Sequence, residues 1–301
     1  MSAVVDEPVI DIARVERETS PAPVQRVWIT RKRVGWLLLG IAAFVAGFLV
    51  FLFGLSGFIA ARQQRVLTTE FQNLAAEGVA STLEWQPSRG DPVAVLTIPK
   101  LGIDQVVVEG STATITMEAP GHLVGSPLPG RPGNSVIVGR RTSFGGIFRN
   151  VSELAAGDQI QVSTGVGAFT YVVERVVTVP AGSDDVIGLS NRNLLTIVTA
   201  DPKFTVNGRL AVVAKLKGLP AAPPPAAATF TTPSETGMSG DPSAIPGFLL
   251  WGELLIVAVV GTVWAWRRVG TRVAWLLGAP LVLGLCWATY LALARLLPAT
   301  L

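Results

Sequence analysis

The chain has 301 residues, 50% of them hydrophobic and only 15% charged, with a net charge of +3 and one cysteine. That balance argues against nucleic-acid binding and for membrane segments beside one folded domain. The lone Cys286 excludes an internal disulfide, so an exported domain must be stable on its core alone.

In chain order, the tail 1–33 ends in Arg31, Lys32 and Arg33, and no charged residue follows across 34–61. That stretch exceeds the roughly 20 residues needed to cross a bilayer, and the basic cluster before it predicts a cytoplasmic tail. It reads as a retained signal anchor, because Phe58 and Ile59 stand where a signal peptidase requires a small side chain. Residues 62–90 carry apolar side chains at Leu67, Phe71, Leu74, Ala75 and Val79, a helical spacing that predicts a stalk. Gly90-Asp91-Pro92 breaks it.

From 91 to 218 the pattern is all-β. Strand-like runs at 93–98, 106–109, 135–138, 159–163, 169–177, 194–199 and 210–216 are separated by Gly, Pro and Asp turns. Pattern alone allows either a barrel or a sandwich. Residues 219–247, rich in Pro, Ala, Ser and Thr, read as an extended tether without a core. Two further apolar runs, 248–266 and 273–297, flank a basic loop of Arg267, Arg268 and Arg272. The positive-inside rule makes them a helical hairpin with a cytoplasmic tip, which puts the β domain outside the membrane. Trp251, Trp264, Trp266, Trp275 and Tyr290 fall near span ends, as interfacial aromatics do. Glu253 lies inside the second span, and intramembrane carboxylates favour function. Counting from the basic loop puts Arg295 roughly 13 Å above it, too far for a direct pair without a helix offset. Gly261, Gly278, Ala279 and Gly284 offer small-residue surfaces for partner helices.

Several blocks of the β region resemble the sortase family. These are Ile98-Pro99-Lys100-Leu101-Gly102-Ile103, Pro120-Gly121-His122, Gly125-Ser126-Pro127-Leu128-Pro129-Gly130, Pro132-Gly133-Asn134 and Leu154-Ala155-Ala156-Gly157-Asp158. The last are Leu195-Thr196, Thr199-Ala200-Asp201-Pro202 and Arg209-Leu210. The resemblance implies an all-β sortase-like barrel of about eight strands, carried outside the membrane with three transmembrane α-helices. The Thr-x-Asp-Pro block is similar to the actinobacterial class E group.

In that family a Cys thiolate attacks a sorting motif, a His shuttles the proton and an Arg assists. The family's Cys falls here on Ala200 and its His on Arg140, while the Arg is kept as Arg209. An alanine methyl is no nucleophile, and an arginine that stays protonated cannot shuttle a proton. The resemblance therefore implies a degenerate member with no intact catalytic set. His122, the single histidine, reads as a loop side chain, Thr199 has no adjacent base, and Cys286 falls within a membrane span. Arg140, Arg141 and Arg209 are the candidate ligand-binding residues, able as a group to hold a carboxylate or phosphate.

The expected function is a binding or scaffolding subunit at the cell envelope, using no cofactor or metal. Its expected partners are the lipid bilayer, partner transmembrane helices, and an envelope protein or acidic peptide or glycan. Two alternatives stand beside it: a transpeptidase independent of cysteine, and a regulator competing with an active sortase for its substrates.

Overall fold

A computed structural model of the chain describes residues 31–78, 86–181, 183, 185–188, 190–205, 207–222, 239–268 and 270–301. Of the segments expected from the sequence, the tail up to residue 30, the end of the stalk (79–85) and most of the tether (223–238) lie outside the described residues. Residues 1–46 and 47–301 form two compact units. The described part of the first is helix, the start of α1 (Arg31–Val50).

The second unit continues through a π-helical turn at Phe51–Leu55 into α2 (Ser56–Ala76). It then forms eight strands: β1 (Pro92–Ile98), β2 (Ile103–Glu109), β3 (Gly121–His122) and β4 (Asn134–Val138). The other four are β5 (Gln159–Thr164), β6 (Gly167–Pro180), β7 (Leu194–Asp201) and β8 (Gly208–Lys217). A short helix, α3 (Ala113–Thr116), lies between β2 and β3. The strands close into a barrel in the order β1-β2-β3-β4-β7-β8-β6-β5. Closure settles the choice between barrel and sandwich. The seven predicted runs all appear as strands; β3 was missed because two residues carry no periodicity.

Inward side chains alternate as the strand period requires. Leu96, Ile98, Ile137, Ile160, Val162, Leu195, Ile197 and Val212 fill the barrel. The opposite faces of β4 and β7 are also covered, Val136, Val138 and Val198 packing with Leu123 and Ile187. Strands buried on both faces read as continuous apolar runs, which is why 194–199 showed no polar alternation. Tyr171 is buried in the core, and its hydroxyl accepts a 2.7 Å hydrogen bond from the Gly130 amide. Burial pushes its ionisation up to about 12.

The stalk helix also packs on the barrel. Leu67 and Phe71 lie on Val106 and Val108 of β2. β3 is too short to pair with the whole of β2, and the Gln64 amide satisfies the Val106 backbone instead, donating at 3.1 Å and accepting at 2.8 Å. At Gly121 an added Cβ would sit 2.0 Å from the Gly110 carbonyl oxygen, so this crossing requires glycine.

After the tether come α4 (Ile245–Arg268) and α5 (Thr271–Arg295). Among the described residues, three helical stretches are long and apolar enough to cross a membrane: Val34–Ala76, Pro242–Arg268 and Ala274–Arg295. Glu253 and Arg295 are both exposed, and Arg295 bears on Glu118 and Asp241. Gly278 is used within the hairpin, where an added Cβ would meet Thr262 at 2.4 Å; Gly261 and Gly284 face open space.

Replacing Tyr171 by Phe leaves the buried Gly130 amide without its acceptor, a loss of about 1–3 kcal/mol. Equilibrium denaturation in detergent micelles should show a correspondingly lower midpoint at unchanged secondary structure.

Candidate functional site

Strand pairing gathers Arg140, Ala200 and Arg209, the three positions singled out by the sequence resemblance. β4 runs parallel to β7, with Val138 opposite Val198, and β7 runs antiparallel to β8, with Ala200 opposite Arg209. The chain leaving β4 at Gly139 and Arg140 therefore emerges beside the end of β7. The Gly139 amide donates to Val198 at 3.1 Å, and its carbonyl accepts from the Thr199 hydroxyl at 2.8 Å. Gly139 must lack a side chain, since a Cβ there would lie 2.5 Å from the Phe148 ring. Ala200, Arg140, Arg141 and Arg209 thus meet at one end of three strands. All four are buried, with exposures of 0%, 1%, 4% and 3%.

Each guanidinium is engaged inside the protein. Arg140 donates through Nη2 to the Ala113 carbonyl at 2.9 Å and through Nη1 to the Ser143 hydroxyl at 3.0 Å. Its charge lies 4.9 Å from the centre of the Phe144 ring, a cation–π contact. Burial pushes the Arg140 ionisation down to about 9, well below the ordinary arginine value taken from the sequence. It still carries its charge at neutral pH and does not titrate where a general base must. Arg141 donates through Nη1 to the Ala200 carbonyl at 2.6 Å and to Asp201 Oδ1 at 2.7 Å. Arg209 donates to the Ser183 carbonyl at 3.1 Å. The Nε atoms of Arg140 and Arg141 are buried and make no hydrogen bond.

Asp201 is held by the Thr178 hydroxyl at 2.7 Å as well as by Arg141. Burial alone would raise its ionisation, but the Thr178 and Arg141 hydrogen bonds and the Arg141 charge together bring it below the usual carboxylate range.

The segment after Arg140 is strained and firmly held. Phe144 has a φ of 50°, a left-handed conformation rare for a bulky residue, and Gly145 and Gly146 follow at 85° and 52°. The Phe144 amide donates to the Ser56 hydroxyl at 2.9 Å, and its ring meets Phe51 edge-on. On the other side, the amides of Arg141, Thr142 and Ser143 bond residues 300 and 301. The sequence offered no signal for this contact, because residues 298–301 lie beyond the apolar run 273–297 and carry no pattern of their own.

His122 is a buried strand residue, not the loop side chain expected. Its Nδ1 lies 2.7 Å from Glu109 Oε2, and its Nε2 lies 3.0 Å from the Pro127 carbonyl and 2.9 Å from the Ser126 hydroxyl. The Ser126 oxygen also donates to the Leu123 carbonyl and accepts from the Val136 amide. It is a saturated link between β3, β4 and the loop joining them.

Residues 96–217, from within β1 to the end of β8, match the model of the sortase domain family. Sortase D of Bacillus subtilis (strain 168) is 29% identical over 124 residues, covering 41% of this chain and 61% of that protein. Sortase SrtE1 of Streptomyces coelicolor is 27% identical over 170 residues, covering 51% and 48%. This chain therefore spans 61% and 48% of the length of these two curated relatives. Among solved structures, a Clostridium perfringens sortase D5 transpeptidase superposes with a TM-score of 0.48 at 29% identity, covering 52% of this chain and 99% of that one. Sortase E from Streptomyces avermitilis superposes at 0.40 and 28% identity, covering 44% and 91%.

Two outcomes are expected. Arg140→Met leaves the Ala113 carbonyl and Ser143 hydroxyl unpaired in the interior and should lower stability by about 2 kcal/mol or more, measured by denaturation. Asp201, depressed in the fold, stabilises it above its ordinary pKa, and that contribution fades as pH falls through the depressed value. Asp201→Asn should thus be less stable than the wild type at pH 7, with the gap closing below pH about 4 in a thermal series.

Proposed function

We propose that this protein is a non-catalytic sortase-domain subunit of the cell envelope, anchored in the bacterial membrane and serving to bind or scaffold. The supporting observation is Ala200, which sits opposite Arg209 and, at the position where the resemblance puts the family's cysteine, carries an inert methyl group. Arg140, at the position of the family's histidine, is a buried cation bonded to a carbonyl and a hydroxyl. Neighbouring hydroxyls do not replace the nucleophile. Thr199 donates to the Gly139 carbonyl, and Ser143 accepts from Arg140, which offers it no base.

In this reading the tail 1–33 is cytoplasmic, the barrel lies outside the membrane, and α4 and α5 form a hairpin with its tip inside. Arg267, Arg268 and Arg272 at that tip support this orientation. Thr199-Ala200-Asp201-Pro202 supports a class E-like, actinobacterial affinity. The partner is an envelope protein or an acidic peptide or glycan.

The test offers the full chain, in detergent micelles, a sorting-motif peptide with an amine acceptor, alongside mild-detergent purification from membranes. The expected result is no ligated product and an envelope protein that co-purifies. Product formation that disappears in Arg209→Ala would overturn the non-catalytic assignment.

A further inference from the structure

Residues 297–301 leave the end of α5 and turn onto the barrel instead of continuing the helix. The Leu301 amide closes a turn on the Pro298 carbonyl at 3.2 Å, and Ala299 and Thr300 are completely enclosed. The Arg141 amide donates to the Thr300 carbonyl at 3.1 Å. One oxygen of Leu301 takes three donors: the Thr142 amide at 2.8 Å, the Ser143 amide at 3.1 Å and the Thr142 hydroxyl at 2.7 Å. Successive backbone amides converging on one oxygen form a concavity that favours negative charge.

This contact belongs to a closed circuit through the site. Arg140 bonds Ala113, and the neighbouring Thr114 hydroxyl donates to Asp241 Oδ2 at 2.8 Å. The Asp241 amide donates to the Arg295 carbonyl at 2.8 Å, at the end of α5, from which the tail returns to Arg141. Gly240 packs so closely there that an added Cβ would lie 2.0 Å from the Leu296 oxygen. On the far side Phe51 meets Trp287 and Tyr290 of α5 at ring-centre distances of 5.0 and 5.7 Å. The placement of the tail thus follows the placement of the membrane hairpin.

We propose that the backbone edge 141–143 is a peptide-binding site, filled in cis by residues 298–301, which opens to an extended peptide in trans when α5 withdraws. Backbone hydrogen bonds supply the affinity, as in other sites that take an extended segment. The enclosed positions, occupied by Ala299 and Thr300, select small side chains. A tethered occupant has an effective concentration in the millimolar range, so it excludes weaker free peptides until it is released. The inference rests on the binding role proposed above for its biological use, but the tail contact holds whether or not the domain turns over substrate.

The test uses the full chain in detergent micelles and a fluorescein-labelled peptide of the sequence of residues 296–301, read by fluorescence anisotropy. Ala299→Asp forces a charge into an enclosed position and expels the tail; a chain ended at residue 297 does the same without a substitution. Both should bind the peptide at least about tenfold more tightly than the wild type, with the barrel intact by circular dichroism. Adding Thr142→Val should weaken that binding by about threefold or more, since one hydrogen bond is lost. Equal affinity in wild type and tail variants, or no binding to either variant, overturns the proposal. Because no turnover is measured, those results leave the non-catalytic assignment to its own assay.

Discussion

The parallel pairing of β4 with β7 is the constraint on which the rest of this molecule depends. It aligns Asn134–Val138 with Leu194–Val198, so both strands point the same way and both exits open at one end of the barrel. β8, running antiparallel to β7, returns Arg209 to that same end. The pairing holds because β4 and β7 are apolar on both faces, Ile137, Leu195 and Ile197 inward and Val136, Val138 and Val198 outward. A slip of one residue would exchange the two sets on one strand and shift Arg140 along the end of β7.

What the barrel assembles at that end is a set of buried cations around Ala200. Burying a guanidinium is costly unless its donors are used, and here the terminal Nη groups bond the protein itself. Arg140 takes a carbonyl, a hydroxyl and an aromatic face, while Arg141 takes the Ala200 carbonyl and Asp201. Such bonding makes both arginines structural fastenings between the segment after β4 and its neighbours. The strained turn at Phe144 is fastened to Ser56 and Phe51 on one side, and the segment before it to the returning tail on the other.

Much of this was legible in the residues themselves. The strands carried β-rich runs between Gly, Pro and Asp turns, and the ordered blocks from Ile98 to Arg209 pointed to the barrel. Other features were not legible. β3 has no period to detect, and Gln64 gave no sign that its amide would complete the edge of β2. His122 looked like part of a loop because its three partners come from β2 and from the turn before β4. The three arginines looked available to an anion because their exposure depends on packing, which sequence spacing does not encode.

Taken alone, the sequence determined the apolar stretches, the strand-forming runs and the absence of a thiol at position 200. These are properties of side-chain chemistry and short-range order, present before any contact forms. Tertiary structure decided that Arg140 would be an internal cation, and that residues 298–301 would lie on the edge 141–143. The reason is physical. Burial and hydrogen-bond partners come from residues up to 159 positions apart, as Thr142 and Leu301 are, and only the folded chain brings such residues within reach.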